Sequence, residues 1–199
     1  MTNNTLLTTV HARGDMVWPI RIAAVLFITV LTAAAAQISL PLPFTPVPFT
    51  LQPMVVLLGG AALGARLGMT SQVLYLIAGI AGLPVFALSP TLPQGLLRLL
   101  GPTGGFLMAY PFAAFLTGWL AEQGFDRRYL TSILAMTIGL GVIFLGGVMW
   151  FAWFARPTAV GLPAALRLAF YPFIAVDALK IVLAALVLPS VWRLIGNRR

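Results

Sequence analysis

Six long apolar segments dominate this chain and constrain its fold more than any other feature. A helix that crosses the hydrocarbon core of a bilayer needs about 20 mostly apolar residues. The segments are 18–39, 50–66, 68–85, 103–122, 129–154 and 166–194. Charged residues make up 8% of the chain, against about 25% in an average soluble domain. We therefore predict a single domain over residues 1–199, an all-α membrane protein built as a bundle of six transmembrane helices.

The second and third segments are short, and only the sequence GARLG (64–68) separates them. Gly59, Gly60, Gly64 and Gly68 lie around this point, and glycine adopts turn conformations at little steric cost. We therefore predict a helical hairpin here rather than one long helix.

The basic residues fall mainly on one side of the predicted membrane. With a cytoplasmic N-terminus, eight arginines would lie inside and three outside, and cytoplasmic loops are rich in Lys and Arg. The inner ones would be Arg13, Arg21, Arg66, Arg127, Arg128, Arg193, Arg198 and Arg199, and the outer ones Arg98, Arg156 and Arg167. This predicts cytoplasmic termini in a multi-pass protein of the cell membrane. Because the arginines are scattered between apolar blocks, the net charge of +8 does not indicate nucleic-acid binding.

The first segment admits a second interpretation. Its sequence IAAVLFITVLTAAAA (22–36) follows Arg21 and ends in an A-x-A pattern, which resembles a signal peptide cleaved near Ala36. The apolar stretch is long for such a peptide, and membrane spans follow it, so we expect it to stay uncleaved. Thr29 and Thr32, together with the four alanines 33–36, would then form a small-residue face on which another helix packs closely.

Several function classes are excluded by residues that the chain lacks. It has no cysteine, which excludes disulfides, cysteine metal ligands and a thiol nucleophile. Its one histidine, His11, lies in the polar N-terminal tail, so we expect no metal, no other cofactor and no histidine-based catalysis. The ATP-binding sequence G-x-x-x-x-G-K-[S/T] is also absent, so ATP hydrolysis by that machinery would have to come from partner proteins.

Two connections between the predicted helices are longer and more apolar than simple links. Residues 39–53 contain five prolines and no charge, and proline restrains the backbone. This stiff loop would hold Phe44 and Phe49 in place as a lid over a cavity in the membrane; the alternative is a passive loop at the lipid headgroups. Residues 82–105 are rich in glycine and proline. Their GPTGG sequence indicates either contact with a ligand or a helix start capped by Thr103.

An aspartate and the chain's one lysine lie inside the last apolar segment, in FIAVDALKIVLAALVL (173–188). Asp177 and Lys180 are three residues apart, so a helix brings them to one face, about 16 to 21 Å from the outer end of the predicted span. A charge in lipid costs at least ~2.5 kcal/mol. Either the two residues only pair with each other, or they bind a ligand. The pair suits a neutral group with N–H and C=O, such as a urea, and Lys180 also suits a carboxylate.

Two function classes other than ligand binding could also use this pair. A proton-coupled small-molecule carrier would use Asp177 alone. An intramembrane enzyme would use Asp177 as acid and base and Lys180 as nucleophile, but it would need further catalytic groups beside them, so we predict that the chain is not an enzyme. Further polar residues in apolar segments, each of which could cross-link helices by hydrogen bonds, are Gln52, Gln72, Tyr75 and Tyr110.

Four blocks of sequence together resemble a known family. They are PVPFTLQP (46–53), ALGARLGMTSQVLYLIAGIAGLPVFA (62–87), GPTGGFL (101–107) and FIAVDALK (173–180). In this order, and along nearly the whole chain, they are similar to the BioY family, the biotin-specific S components of energy-coupling factor (ECF) transporters.

The resemblance implies a six-helix bundle in the bacterial cytoplasmic membrane that binds biotin with high affinity for uptake, near its outer face and beneath the loops. Asp177 and Lys180 match the family's D-x-x-K, which holds the biotin head group. The other substrate-binding residues that we expect are Phe44, Phe49, Gln52, Tyr75, Phe86, Gln94 and Phe173. The implied partners are a coupling transmembrane (T) component, ABC ATPase subunits and the lipid bilayer. An S component for another vitamin is the alternative.

The stretch LSPTLPQG (88–95) departs from the family's pattern. Family members tend to have a short glycine-rich stretch here, with a polar side chain that helps to hold the urea. In this chain Ser89, Thr91 or Gln94 is the candidate substitute.

The first predicted helix also departs from the pattern. S components commonly carry A-x-x-x-A there for docking the T component, and no alanine pair of this helix has that spacing. The nearest small-residue equivalents are Thr29 with Ala33, and Thr32 with Ala36.

Overall fold

The described part of the chain, residues 17–89 and 92–196 of a computed structural model, is almost entirely helical. Its α-helices are α1 (Val17–Gln37), α2 (Gln52–Leu63), α3 (Ala65–Ile80), α4 (Leu96–Leu100), α5 (Gly104–Glu122), α6 (Tyr129–Trp153), α7 (Leu162–Ala169) and α8 (Tyr171–Gly196). A short 3-10 helix covers Phe125–Arg127, and two strands, β1 (Ser39–Leu40) and β2 (Phe49–Thr50), form a small ribbon. The candidate residue Thr91, His11 and the predicted inner arginines Arg13, Arg198 and Arg199 lie outside the described residues.

Four helices of the described chain are long and apolar enough to cross a membrane. They are Trp18–Gln37, Gly104–Glu122, Tyr129–Trp153 and Tyr171–Leu194, and each falls within a predicted span. By contrast, α2 and α3 have 12 and 16 residues, fewer than the about 17 that a span needs. The predominantly helical architecture is therefore confirmed, whereas the count of six spans and the cytoplasmic termini stay predictions.

The break between α2 and α3 lies at one residue, Gly64, whose φ of 87° falls in the left-handed region that favours glycine. Arg66 and Gly68 belong to α3, so the turn is shorter than the predicted GARLG. Beside it the helices pack backbone to backbone, because a Cβ on Gly68 would lie 2.7 Å from the Cα of Gly60. A Cβ on Gly60 would in turn clash with the carbonyl oxygen of Ala114 on α5. These glycines therefore hold α2, α3 and α5 together.

The last predicted span, 166–194, begins too early. The chain leaves helical geometry at Phe170, with φ −123° and ψ −64°, between α7 and α8. Pro172 explains the break. Proline has no N–H to donate to the carbonyl oxygen four residues earlier, and the proline ring clashes with that carbonyl group. Asp177 and Lys180 thus lie 6 and 9 residues after the start of α8, or about 9 and 14 Å. The predicted depth of about 16 to 21 Å is wrong.

Three connections, residues 38–51, 81–103 and 154–170, meet at one end of the bundle, which we call the loop end. The side chain of Gln37 donates hydrogen bonds to the carbonyl oxygens of Pro84 and Phe86, at 3.3 and 3.4 Å. The backbone N–H of Arg156 donates to the carbonyl oxygen of Leu100 at 2.8 Å. These contacts tie the connections into one layer over the ends of the long helices.

Two of these connections contain regular structure that was not predicted from the sequence. In the proline-rich segment, β1 and β2 pair antiparallel, with Ser39 opposite Thr50 and Leu40 opposite Phe49. We call residues 39–50 the hairpin. The second connection contains the single turn α4, which follows Gly95 at a φ of 76°.

The predicted small-residue face of α1 packs against α3. Thr29 donates a hydrogen bond to the carbonyl oxygen of Ser71 at 2.9 Å, and Gln72 donates to the Thr32 hydroxyl at 3.3 Å. Both threonines are buried, so the predicted close packing is confirmed. It also means that Thr29 and Thr32 are not exposed to a partner, which contradicts their suggested role as docking positions.

The main core lies between α2, α5, α6 and α8, where Leu57, Ala113, Ile143 and Ala185 are fully buried. These side chains are aliphatic, and several are small, so the helices approach closely in the middle of the bundle. Towards the loop end the core side chains become larger and more polar, and a cavity opens between them.

Candidate substrate-binding site

Asp177 and Lys180 form a buried ion pair near the start of α8. Lys180 Nζ lies 2.7 Å from Asp177 Oδ1, and the two residues are 6% and 5% exposed. The nitrogen also donates to the backbone carbonyl oxygen of Thr50 at 2.6 Å and lies 3.6 Å from the centre of the Phe49 ring. The ammonium therefore makes two hydrogen bonds and one cation–π contact, and two of these three partners belong to the hairpin.

A cavity lies against this ion pair. It offers about 60 Å³ of room for the centres of water molecules, several times the about 10–15 Å³ that one water needs. Its polar lining residues are Thr50, Gln52, Arg98, Thr103, Tyr110, Asp177 and Lys180. Its larger apolar lining residues are Val47, Phe106, Leu107, Leu140, Ile143, Phe144 and Phe173. The cavity is thus an apolar container with a few polar groups on its wall, the usual composition of a small-molecule site.

Among the carboxylate and amide oxygens of the lining side chains, two accept no hydrogen bond from any described residue. One is Asp177 Oδ2, since Lys180 binds only Oδ1. The other is Gln52 Oε1, since Gln52 uses only its amide nitrogen. Neither oxygen is sealed from the cavity. A molecule in the cavity can therefore donate two hydrogen bonds to the protein without breaking any bond that the protein makes.

The orientation of the Gln52 amide is fixed by its neighbours. Tyr75 donates its hydroxyl proton to the carbonyl oxygen of Val85 at 3.1 Å, so its oxygen is left to accept from Gln52 Nε2 at 2.7 Å. Phe86 packs edge-on against the Tyr75 ring, with centroids 5.6 Å apart. Because the amide nitrogen is held by Tyr75, the amide oxygen is the atom left for the cavity.

Arg98 is a buried cation at the loop end of the cavity. It is 1% exposed, and its guanidinium donates to the carbonyl oxygens of Ala87 at 2.6 Å, Leu92 at 3.3 Å and Pro93 at 3.5 Å. Burial lowers the pKa of the Arg98 guanidinium from its ordinary value. The sequence predicts an arginine of an outer connection, but the side chain folds inward and ties Ala87, Leu92 and Pro93 to α4.

Thr103 lies at the position before the first residue of α5. It makes no side-chain cap, so the predicted capping role is wrong. Its hydroxyl oxygen is buried and has no hydrogen-bond partner in the described chain. Thr103 lines the cavity, but its hydroxyl oxygen exposes no surface to a bound molecule.

The structure brings together four of the residues predicted for the site. Gln52, Phe173, Asp177 and Lys180 all line the cavity. Phe49 lies over the Lys180 ammonium from the hairpin side.

The remaining predicted residues lie farther from the ion pair. Tyr75 and Phe86 are fully buried and support Gln52 from behind. Gln94 donates to the carbonyl oxygen of Phe86 at 3.4 Å, within the loop layer. Phe44 is 57% exposed and lines a separate cavity between the hairpin and the second connection. That cavity also contains Ser89 and shares Pro48 with the cavity of the ion pair.

The lining residues on α5, Phe106, Leu107 and Tyr110, were not predicted as part of the site, although ligand contact was one interpretation of the GPTGG sequence before them. The sequence carries a signal for all of these residues. Thr103, Phe106, Leu107 and Tyr110 recur at spacings of three and four, which puts them on one face of a helix. Phe106 packs edge-on against Phe144 of α6, with centroids 6.3 Å apart. No comparable local pattern marks Arg98 or Phe144.

Comparison with known proteins agrees with this arrangement. The sequence model of the BioY family matches residues 6–197. The probable biotin transporter BioY of Pyrococcus horikoshii is 40% identical over 176 residues, which cover 88% of this chain and 96% of that protein. The biotin transporter BioY of Thermotoga maritima is 38% identical, over 80% of this chain and 88% of that protein. The biotin transporter BioY of Rhizobium etli is 32% identical, over 81% and 86%.

The fold is also similar to a solved structure, the S-component for biotin from an ECF-type ABC transporter. The TM-score is 0.79, and the match covers 92% of this chain and 95% of that one at 23% identity. At this identity the likeness concerns the fold alone. Together with the four helices that can cross a membrane, the family match over almost the whole chain makes this a membrane protein, and it belongs to the BioY family.

Proposed function

We propose that this chain binds biotin and supports its uptake across the cytoplasmic membrane as the S component of an ECF-type ABC transporter. The observation that carries the proposal is the buried Asp177–Lys180 ion pair on the wall of a mostly apolar cavity. Two relatives that align with 88% and 80% of this chain, at 40% and 38% identity, are named a probable biotin transporter and a biotin transporter. The proposal includes no chemical change to the substrate.

The ureido ring of biotin offers two N–H donors and one carbonyl acceptor. Asp177 Oδ2 and Gln52 Oε1 are the carboxylate and amide acceptors that the lining side chains leave open, so each would take one N–H. Lys180 would donate to the ureido oxygen. A hydrogen bond to a charged group contributes about 1.5–3 kcal/mol, so Asp177 and Lys180 would supply most of the head-group affinity.

A ureido oxygen that accepts from Lys180 would compete with the present partners of the ammonium. Two of these, the Thr50 carbonyl oxygen and the Phe49 ring, belong to the hairpin. Ligand binding and hairpin position would therefore be linked. This supports the hairpin as the lid of the site, with Phe44 at its entrance.

The rest of biotin is an apolar bicycle with a chain that ends in a carboxylate. Phe106, Phe144 and Phe173 would pack on the apolar part. Arg98 is the second cation that lines the cavity, so it suits the carboxylate. Tyr75 and Phe86 would act indirectly, by orienting Gln52.

Transport would need six spans and partner proteins. With both termini in the cytoplasm, the loop end would face outward, where biotin arrives. The short helices α2 and α3 would then cross the membrane as a pair, packed inside the bundle. Since the chain has no ATP-binding sequence of the P-loop type, a T component and ABC ATPase subunits would supply the energy.

The test is a binding measurement on the purified, detergent-solubilised chain. We expect saturable calorimetric binding of biotin, and no binding of diaminobiotin, in which two amines replace the urea. Riboflavin and thiamine should not compete. Tight binding of another vitamin without binding of biotin would overturn the substrate assignment.

A further inference from the structure

A groove on the outside of the bundle has no role in the proposed transport cycle. It runs between α5 and α6 and has a volume of about 540 Å³. From Val142 to Phe154 it follows α6 for 12 residues, or about 18 Å. This is close to the thickness of one leaflet, half of the about 30 Å hydrocarbon core.

The floor of the groove is formed by small residues that let the two helices nearly touch. A Cβ on Gly146 would lie 2.8 Å from the Cβ of Ala109 and 3.1 Å from the carbonyl oxygen of Gly105. Large exposed side chains, among them Phe112 and Leu145, form the walls. The groove is therefore a shallow, open furrow with an apolar floor, along which a slender apolar object can lie.

No polar side-chain atom in the groove is free. All of its lining residues are apolar or glycine except for the indole N–H of Trp150. That N–H donates to the carbonyl oxygen of Gly101 at 3.0 Å, and the Trp150 ring stacks on Phe154 at 5.7 Å. A hydrocarbon chain suits such a lining, whereas a polar ligand would find no partner.

A cation lies at the loop end of the groove. Arg156 is exposed and follows the lining residue Phe154 by two positions. Its backbone N–H donates to the carbonyl oxygen of Leu100, and the next residue, Gly101, accepts from the indole of the lining residue Trp150, so the backbone of Arg156 lies beside the loop end of the groove. The structure records no ion pair for its guanidinium within the described chain. The described acidic residues all lie elsewhere: Glu122 and Asp126 are at the opposite end of the bundle, and Asp177 is in the cavity.

We propose that this groove binds an anionic glycerophospholipid, with one acyl chain along α5 and α6 and the phosphate on Arg156. The apolar floor, the leaflet-sized length and the unpaired cation at one end each match one part of such a lipid. The inference does not depend on the substrate of the cavity.

The test is native mass spectrometry of the full chain, released from micelles that contain palmitoyl-oleoyl phosphatidylglycerol or the zwitterionic phosphatidylcholine with the same chains. The wild type should retain phosphatidylglycerol about fivefold better, the effect of one arginine near a lipid phosphate. Arg156→Gln should remove this preference, and Val142→Phe, which fills the groove, should reduce retention of both lipids. The matched controls Arg167→Gln and Val182→Phe, exposed positions away from the groove, should behave like the wild type.

Three results would overturn the proposal. Equal retention of the two lipids by the wild type would show that the charge of the lipid headgroup does not affect binding. If Arg167→Gln lost the preference for phosphatidylglycerol as fully as Arg156→Gln, the preference would not depend on a specific contact with Arg156. A wild-type dimer that Val142→Phe dissociates would show that a second copy of the chain fills the groove. An unchanged midpoint of thermal unfolding in detergent, in every variant, is the control for folding.

Discussion

The ammonium of Lys180 donates a hydrogen bond to the backbone carbonyl oxygen of Thr50, 130 residues earlier in the chain, at 2.6 Å. The same nitrogen binds Asp177 Oδ1 at 2.7 Å. One cation therefore connects the acid of α8 to the hairpin that covers the cavity. Because a bound molecule would compete for these protons, we expect the hairpin to respond to the ligand.

The hairpin response can be measured with a spin label, since the chain contains no cysteine to remove. Pro43→Cys places a label at an exposed position of the hairpin, whereas Thr45 and Val47 are buried. Saturating biotin should reduce the mobility of this label, because the bound ligand fixes Lys180 and the residues over it. A label at Leu130, on α6, is the control and should not change. Identical spectra at position 43 with and without biotin would show a passive loop.

The amide of Gln52 should contribute to affinity through its oxygen. Gln52→Met keeps the length of the side chain but removes the acceptor, so biotin affinity should fall by about 0.5–1.5 kcal/mol, the net value of one neutral hydrogen bond. Tyr75→Phe should cause a smaller loss, because it only frees the amide to rotate. Calorimetry measures both changes. The control is Gln72→Met, which alters the contact of α3 with α1; its stability should fall while its biotin affinity stays unchanged. Wild-type biotin affinity in Gln52→Met would exclude a hydrogen bond between the Gln52 amide and biotin.

The close approach of α2 to α5 makes Gly60 intolerant of a side chain. A Cβ there meets the backbone of Ala114, and overpacking of this kind costs about 1–3 kcal/mol. Gly141 of α6 has nothing within 4 Å of its Cβ position, so Gly141→Ala should be neutral or gain about 0.5–1 kcal/mol from helix propensity. Unfolding of Gly60→Ala and Gly141→Ala in detergent compares the stabilities of the two variants directly. Equal stability would mean that α2 and α5 are not in backbone contact.

The long helices could be predicted closely from the sequence, because each is a continuous apolar run. The span 129–154 corresponds to Tyr129–Trp153 and the span 103–122 to Gly104–Glu122. Prediction failed where the apolar run continues through a change of backbone direction. Apolarity is the same on both sides of Phe170, but Pro172 ends one helix and starts another. At Gly64 one residue is enough to turn the chain, so the longer predicted turn overestimated the break.

The site could be predicted where its chemistry is costly in lipid. Asp177 and Lys180 stand out because charges rarely occur inside apolar segments. Arg98 could not be identified, because a charge in a connection is expected to face water. Its burial depends on three carbonyl oxygens between residues 87 and 93, which only the folded loop brings together.

The central claim is that Asp177 and Lys180 bind the ureido group rather than only each other. Asp177→Asn and Lys180→Met each leave one buried charge without its partner, so both single variants should lose stability and affinity. The double variant removes both charges and should recover much of the stability.

The most direct test is the biotin affinity of that double variant, measured by calorimetry on folded protein. If the pair contacts biotin, affinity should stay low, by about 1.5–3 kcal/mol for each lost charged hydrogen bond, although stability returns. Near-wild-type affinity in a well-folded Asp177→Asn/Lys180→Met variant would show instead that the pair is purely structural.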